Sequence, residues 1–223
     1  MTNNLKKIKQ AVIICGGFGL RLRPFTKNRP KILVNVNNKP FVFFLIEQLE
    51  KQGFKEIIFL TGYLGKKIEN YINKNKQKIK ARISYHHGEE NWKTGRRIWE
   101  VKDNLKENFL LLYSDNFTNF NLKKNLNFFK KKNIALTLTV APKIPGNFTI
   151  NLNGSVQNYN IFRNRKNKYV EIGYMLISKK YLFKQYKNID CDFNEIIKKI
   201  SKNKRVNAVV QNNGYQSISD PKR

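Results

Sequence analysis

The stretch from Cys15 to Arg23, Cys-Gly-Gly-Phe-Gly-Leu-Arg-Leu-Arg, places three glycines within four positions and follows them at once with two guanidinium groups. Glycines Gly16, Gly17 and Gly19 let a backbone approach an anion closely and turn its N–H groups toward it. Arg21 and Arg23 offer forked donors that match phosphate oxygens, and Lys31, after Arg29-Pro30, adds a compact point charge. The spacing is neither the Gly-x-Gly-x-x-Gly of dinucleotide sites nor the Walker loop with its terminal Lys-Ser/Thr. Alone, the glycines would also suit an ordinary tight turn. With Arg21 and Lys31 beside them they describe a loop that holds a polyphosphate.

Carboxylates are scarce. Forty-four Lys and Arg stand against 15 Asp and Glu, a formal charge of +29 at pH 7. Any metal or acid–base chemistry must draw on those few acids. Asp115 follows the apolar run Phe109–Tyr113 and could hold a hard cation or simply cap a turn. Glu171 and Gly173 lie in the run Tyr169–Ser178, where a carboxylate could pair with one of the many lysines. Glu89 and Glu90 read as solvated. His86 and His87, adjacent on a strand end, point to opposite faces and do not make a metal pair. Cys15 and Cys191 give neither a disulfide framework nor metal-ligand spacing. The excess positive charge allows two readings, attraction to polyanions or compositional drift in a Lys-, Asn-, Ile- and Phe-rich chain. No recognition helix, zinc spacing or aromatic RNA-binding motif supports specific nucleic-acid binding.

These groups need a scaffold, and the patterning supplies one. At 40% hydrophobic and 13% aromatic, 223 residues can bury a core, which excludes a disordered chain. No apolar run approaches the roughly 20 residues of a membrane span, and none after the basic N-terminus makes a signal-peptide core. A soluble cytoplasmic protein is expected. β-Branched and aromatic runs at Ala11–Cys15, Glu56–Thr61, Ala81–Tyr85, Phe109–Tyr113 and Ile134–Val140 alternate with stretches of helical period. The helical stretches are Phe41–Gln52, Leu64–Asn75, Arg96–Leu105 and Leu122–Lys131. Beyond Pro142 the texture turns to strands at Ser155–Arg163 and Tyr169–Ser178, a helix at Phe193–Ser201 capped by Asp192, and a strand at Arg205–Gln211. The alternation predicts an α/β fold, a Rossmann-like, mostly parallel sheet flanked by helices with a smaller β-rich half. One domain is expected over residues 1–223, its two halves spanning 1–142 and 143–223.

Gly16-Gly17-Phe18-Gly19-Leu20-Arg21-Leu22 and Pro30-Lys31-Ile32-Leu33 closely resemble the signature of sugar-1-phosphate nucleotidylyltransferases, Gly-Gly-x-Gly-Thr-Arg-Leu followed by Pro-Lys-Pro-hydrophobic. Leu20 replaces the Thr and Ile32 the second Pro. The resemblance continues through Asn38–Phe41, Gly53–Ile57, Thr61–Tyr63, Thr94–Ile98 and Tyr113–Asn116, almost to the end of the chain. Thr94-Gly95-Arg96-Arg97, Leu111–Asn116, Val170–Met175 and Ser217–Pro221 narrow it. Together they are similar to the nucleotidyltransferases related to D-glycero-D-manno-heptose-1-phosphate guanylyltransferase, some of which are fused to a haloacid-dehalogenase-type phosphatase.

The resemblance implies an enzyme that joins a nucleoside triphosphate to a sugar 1-phosphate, releasing pyrophosphate and forming a nucleotide sugar for surface polysaccharide. It makes 1–142 the nucleotide-binding half and 143–223 the sugar-binding half, assigning Gly16, Gly17, Gly19, Arg21, Thr94 and Gly95 to the nucleotide, and Glu171 and Gly173 to the sugar. Arg21, Lys31 and Asp115 carry catalysis, with Mg2+ on Asp115. The family's second metal carboxylate is replaced here by Ser217, with Asp220 the nearest acid. The family's Glu-Lys pair in the middle strand is also missing, with Ile161-Phe162-Arg163 nearby. GTP and a heptose 1-phosphate follow from the nearest resemblance. CTP with a hexose 1-phosphate follows from the echo of glucose-1-phosphate cytidylyltransferases in Thr-Gly-x-Arg and Tyr-x-Asp. A non-catalytic binding or regulatory module on the same fold remains the reading from another class. The resemblance also leaves room for a homo-oligomer and for a fused or separate phosphatase partner.

Overall fold

The computed structural model describes residues 8–131, 133–184 and 189–218. Its frame is a seven-stranded sheet: β1 (Gln10–Ile14), β2 (Glu56–Thr61), β3 (Arg82–His87), β4 (Asn108–Tyr113), β5 (Leu136–Pro142), β6 (Tyr169–Ser178) and β7 (Val206–Val210). Across the sheet they run β7-β5-β6-β4-β1-β2-β3. β6 alone is antiparallel to its neighbours, β4 and β5; the other pairs are parallel. A mostly parallel sheet needs both faces covered, which is why β1 reads as an unbroken apolar run after Gln10 and is buried throughout.

Among the described residues lie six α-helices: α1 (Phe41–Lys51), α2 (Gly65–Lys74), α3 (Thr94–Glu100), α4 (Leu122–Phe129), α5 (Lys179–Phe183) and α6 (Phe193–Lys202). Period-two alternation sorts each strand between two cores. Val12, Ile14, Leu60 and Leu111 pack with Ile98 of α3 and with Phe193, Ile197 and Ile200 of α6. Ala11, Ile13, Phe59 and Leu112 pack with Leu45 and Leu49 of α1 and Ile68 and Ile72 of α2. The cap expected at Asp192 is present and takes the form of a capping box, the Asp192 N–H donating to Glu195 Oε1 at 3.0 Å.

Two expectations need correction. The extended strand over Ser155–Arg163 shrinks to Val156–Gln157, paired with Thr149–Ile150. The rest is held by asparagine side chains: Asn147 Nδ2 donates to the carbonyls of Asn160 and Ile161, and Asn167 Nδ2 to that of Asn147. Such side chains offer the backbone partners that compete with a strand ladder. The helix expected over Arg96–Leu105 instead begins at Thr94 and ends at Glu100, and a separate 3-10 turn follows at Lys102–Asn104. Val101 and Leu105 keep their buried places, so the apolar period survives the break in the helix.

Candidate active site

β1 has β2 on one side and β4 on the other. The helices that follow β1 and β3, α1 and α3, therefore fall on opposite faces, and a crevice opens beyond the carboxyl ends of β1 and β4, the position where open α/β sheets bind ligands. Everything that leaves those two strand ends meets there. The glycine loop leaves β1, and Ser114-Asp115 leaves β4, with the Ser114 N–H donating to Ile14 O at 3.2 Å.

Each end of the loop is tied down. Gly16 is buried, whereas Gly17 is exposed. Gly19 adopts φ 65°, a left-handed conformation that glycine enters without cost, and opens the 3-10 turn Leu20–Leu22. Thr26 Oγ1 donates to Gly19 O at 2.8 Å and secures the exit. Arg21 stands exposed on the cleft wall. Lys31 opens a second 3-10 turn, Lys31–Leu33, and its Nζ reaches Asp115 Oδ2 at 2.7 Å. The cleft bounded by Gly17, Gly19, Arg21, Lys31, Thr94 and Asp115 encloses about 570 Å³, within the range of small-molecule sites.

Thr94 lines the cleft, and its Oγ1 is engaged from behind: it donates to Asp192 Oδ1 at 3.2 Å and accepts from the Phe193 N–H at 2.7 Å. The Gly95 N–H donates to Cys191 O at 2.9 Å. A Cβ there would come 2.5 Å from Cys191 O, so its small size serves the junction with the start of α6.

Glu171 and Gly173 share a bulge in β6, where the register shifts between Glu171 and Tyr174 and Gly173 takes φ 79°. The Gly173 N–H donates to Glu171 Oε2 at 2.8 Å. Burial, with the charge of Asp115 adding to it, pushes the Glu171 carboxyl up to about 7 against the pull of that N–H and of Arg163. A Cβ on Gly173 would press within 3.1 Å of the Tyr113 ring, which lines the cleft.

Ser217, in the slot of the missing carboxylate, pairs with Asn116, and the Ile218 N–H donates to Asp115 O at 2.9 Å. The tail thus lies against Asp115, while Asp220 falls outside the described residues. Among the described residues, no three His, Cys, Asp or Glu side chains gather as a metal cluster. One carboxylate at the cleft floor suits a hard cation that takes most of its ligands from phosphate oxygens and water. His87 is engaged elsewhere, between Thr61 Oγ1 at 2.7 Å and Glu69 Oε2 at 2.9 Å.

In the sequence Arg97 stands out only as part of the Thr94-Gly95-Arg96-Arg97 motif. Its guanidinium is buried beneath Gly16, donating to the carbonyl oxygens of Thr61 and Glu89 at 2.6 and 2.7 Å. The signal that could have found it is an arginine directly beside the apolar Ile98, together with glycines at the ends of three neighbouring strands.

The sequence matches the family described as nucleotidyl transferase over residues 10–148, more than half of the chain. It is 37% identical over 115 residues to the D-glycero-alpha-D-manno-heptose 1-phosphate guanylyltransferase of Campylobacter jejuni, a match covering 52% of this chain and 51% of that protein. It is 32% identical over 155 residues to the probable glucose-1-phosphate cytidylyltransferase of Bacillus subtilis, covering 60% of this chain and 61% of the relative. The choline-phosphate cytidylyltransferase of Streptococcus pneumoniae is 33% identical over 116 residues, 52% of this chain and 48% of its own. These matches span about half to three-fifths of the relatives' lengths. Among solved structures, HddC from Yersinia pseudotuberculosis complexed with GMP-PN superposes with a TM-score of 0.78 at 21% identity, covering 96% of this chain and 95% of that one. That likeness establishes the fold. No described helix is long and apolar enough to cross a membrane.

Proposed function

Because this chain belongs to the nucleotidyl transferase family, we propose that it transfers a nucleotidyl group from a nucleoside triphosphate to a sugar 1-phosphate, releasing pyrophosphate. The observation that carries this reading is the convergence of the Gly16–Gly19 loop, Arg21 and the Lys31–Asp115 pair on one cleft. An oxygen of the sugar phosphate attacks the α-phosphorus as the bond to the bridging oxygen of the leaving pyrophosphate breaks. Catalysis then consists of holding two polyanions in line and offsetting the charge that develops. The loop amides and Arg21 would grip the β- and γ-phosphates and stabilise the leaving group. Lys31 would bridge the α-phosphate and the incoming phosphate. Asp115 would hold Mg2+, a Lewis acid for phosphate oxygens. Thr94, on the cleft wall, is assigned to the nucleotide side, and Gly95, whose N–H donates to Cys191 O, to the junction behind it. Glu171 and Gly173, in the half formed by 143–223, are assigned to the sugar.

For the substrate pair we favour GTP with a heptose 1-phosphate, on the strength of the Campylobacter relative and the likeness to HddC. CTP with a hexose 1-phosphate is the second reading, favoured by the Bacillus relative. The product would be a nucleotide sugar for surface polysaccharide, made in the cytoplasm. The deciding measurement is pyrophosphate release with Mg2+, crossing five nucleoside triphosphates with a panel of sugar 1-phosphates that includes the heptose. Release with one pair establishes the reaction and both substrates. Nucleotide binding without release across the panel favours a binding module and overturns the proposal.

A further inference from the structure

Three glycines that the sequence scatters over 72 positions are required by one side chain. Ideal Cβ atoms on Gly16 and Gly62 would lie 2.4 Å and 2.6 Å from the Arg97 guanidinium, and one on Gly88 would lie 3.0 Å from it as well as 2.4 Å from the Trp92 ring. Gly16 follows β1, Gly62 follows β2 and Gly88 follows β3, so Arg97 fills the space under three adjacent strand ends. Its hydrogen bonds run the same way, to Thr61 O at 2.6 Å, to Glu89 O and Glu90 O at 2.7 and 3.2 Å, and to Gly16 O at 3.5 Å.

Every one of those partners is a neutral carbonyl. Among the described residues no carboxylate lies within ion-pair distance of Arg97. The adjacent Cys15 thiol does not balance it either, since burial pushes that thiol up to about 12 and keeps it protonated. A buried, uncompensated cation is costly, and it is placed under the one loop read as a polyphosphate cradle. Resting on that reading, we propose that Arg97 is a positioning residue. It fixes the backbone of Gly16 and supplies, from behind, a permanent positive charge that the phosphates of the substrate complete.

Calorimetric titration with inorganic tripolyphosphate tests this without knowledge of base or sugar. Wild type, Arg97→Gln and Arg97→Lys are compared at pH 7 and pH 9, with thermal unfolding of each. Arg97→Gln keeps donors and loses the charge, and its affinity is expected to fall roughly 10-fold or more, the scale of one unit charge acting over several ångströms at a protein's effective dielectric. Arg97→Lys keeps the charge. Desolvation lowers the pKa of a buried ammonium, so its affinity should fall from pH 7 to pH 9 more steeply than that of wild type. Should Arg97→Gln not fold, this pH difference decides alone. Wild-type affinity in folded Arg97→Gln, or the same pH profile in Arg97→Lys as in wild type, overturns the inference. Failure of wild type itself to bind tripolyphosphate overturns the triphosphate reading of the loop, and the inference with it.

Discussion

Lys31 Nζ and Asp115 Oδ2 lie 2.7 Å apart although 84 positions separate them in sequence, and the side chains are 16% and 26% exposed. The cation and the carboxylate are paired across the cleft. A phosphate and a hard cation entering together would give each a new partner of opposite charge.

Asp115→Asn is therefore expected to cut pyrophosphate release about 100-fold or more, the scale seen when one transition-state stabilising group is removed. Its thermal midpoint should move little, because a partly exposed ion pair contributes about 1 kcal/mol or less. Steady-state rates beside a melting curve check both halves. A variant that turns over like wild type removes Asp115 from the mechanism.

Glycines of the site should separate by what surrounds them. A Cβ at Gly17 meets nothing within 4 Å. Gly17→Ala is thus expected to leave stability unchanged or raise it by up to about 1 kcal/mol, while its methyl weakens triphosphate binding. Gly95→Ala should instead lower the melting temperature, because its Cβ meets the Cys191 carbonyl at 2.5 Å; overpacking of this kind costs about 1–3 kcal/mol. The opposite pattern would reverse the assignment of the two residues.

Glu171 gives a pH signature. Its folded pKa, about 7, lies above the ordinary 4.5, so the native state binds the proton more tightly than the unfolded chain. Its contribution is fully present below pH 4.5 and is lost as pH rises through 7. Glu171→Gln should then melt at the wild-type temperature near pH 4.5 and several degrees higher at pH 8. Parallel melting curves across that window would refute a half-buried, proton-binding Glu171.

Thiol chemistry reports on the packing beneath the loop. Cys15 is buried with a pKa near 12, and only the thiolate reacts. At pH 8 a disulfide reagent should leave Cys15 unmodified in the native protein and label it after unfolding. Labelling that precedes unfolding would show the loop opening away from β2.

Much of this molecule was legible in the residues. β-Branched runs of five to ten residues, bounded by glycine, asparagine and proline, mark the sheet because a strand buried on both faces needs apolar side chains on both. Gly16 to Lys31 reads as a phosphate loop because glycine spacing and guanidinium chemistry are local properties of consecutive residues. Tyr169–Ser178 was visible as a strand, but its antiparallel direction between β4 and β5 was not, since strand direction depends on partners distant in sequence. Nor could local pattern tell that Gly95 belongs to a helix junction, that Asn147 and Asn167 dissolve the end of an expected strand, or that one buried arginine requires Gly16, Gly62 and Gly88 together. Those facts arise from side chains that meet only when the strand ends are brought side by side. Sequence specified which groups are present and which elements carry them; the tertiary packing decided which groups share a cleft.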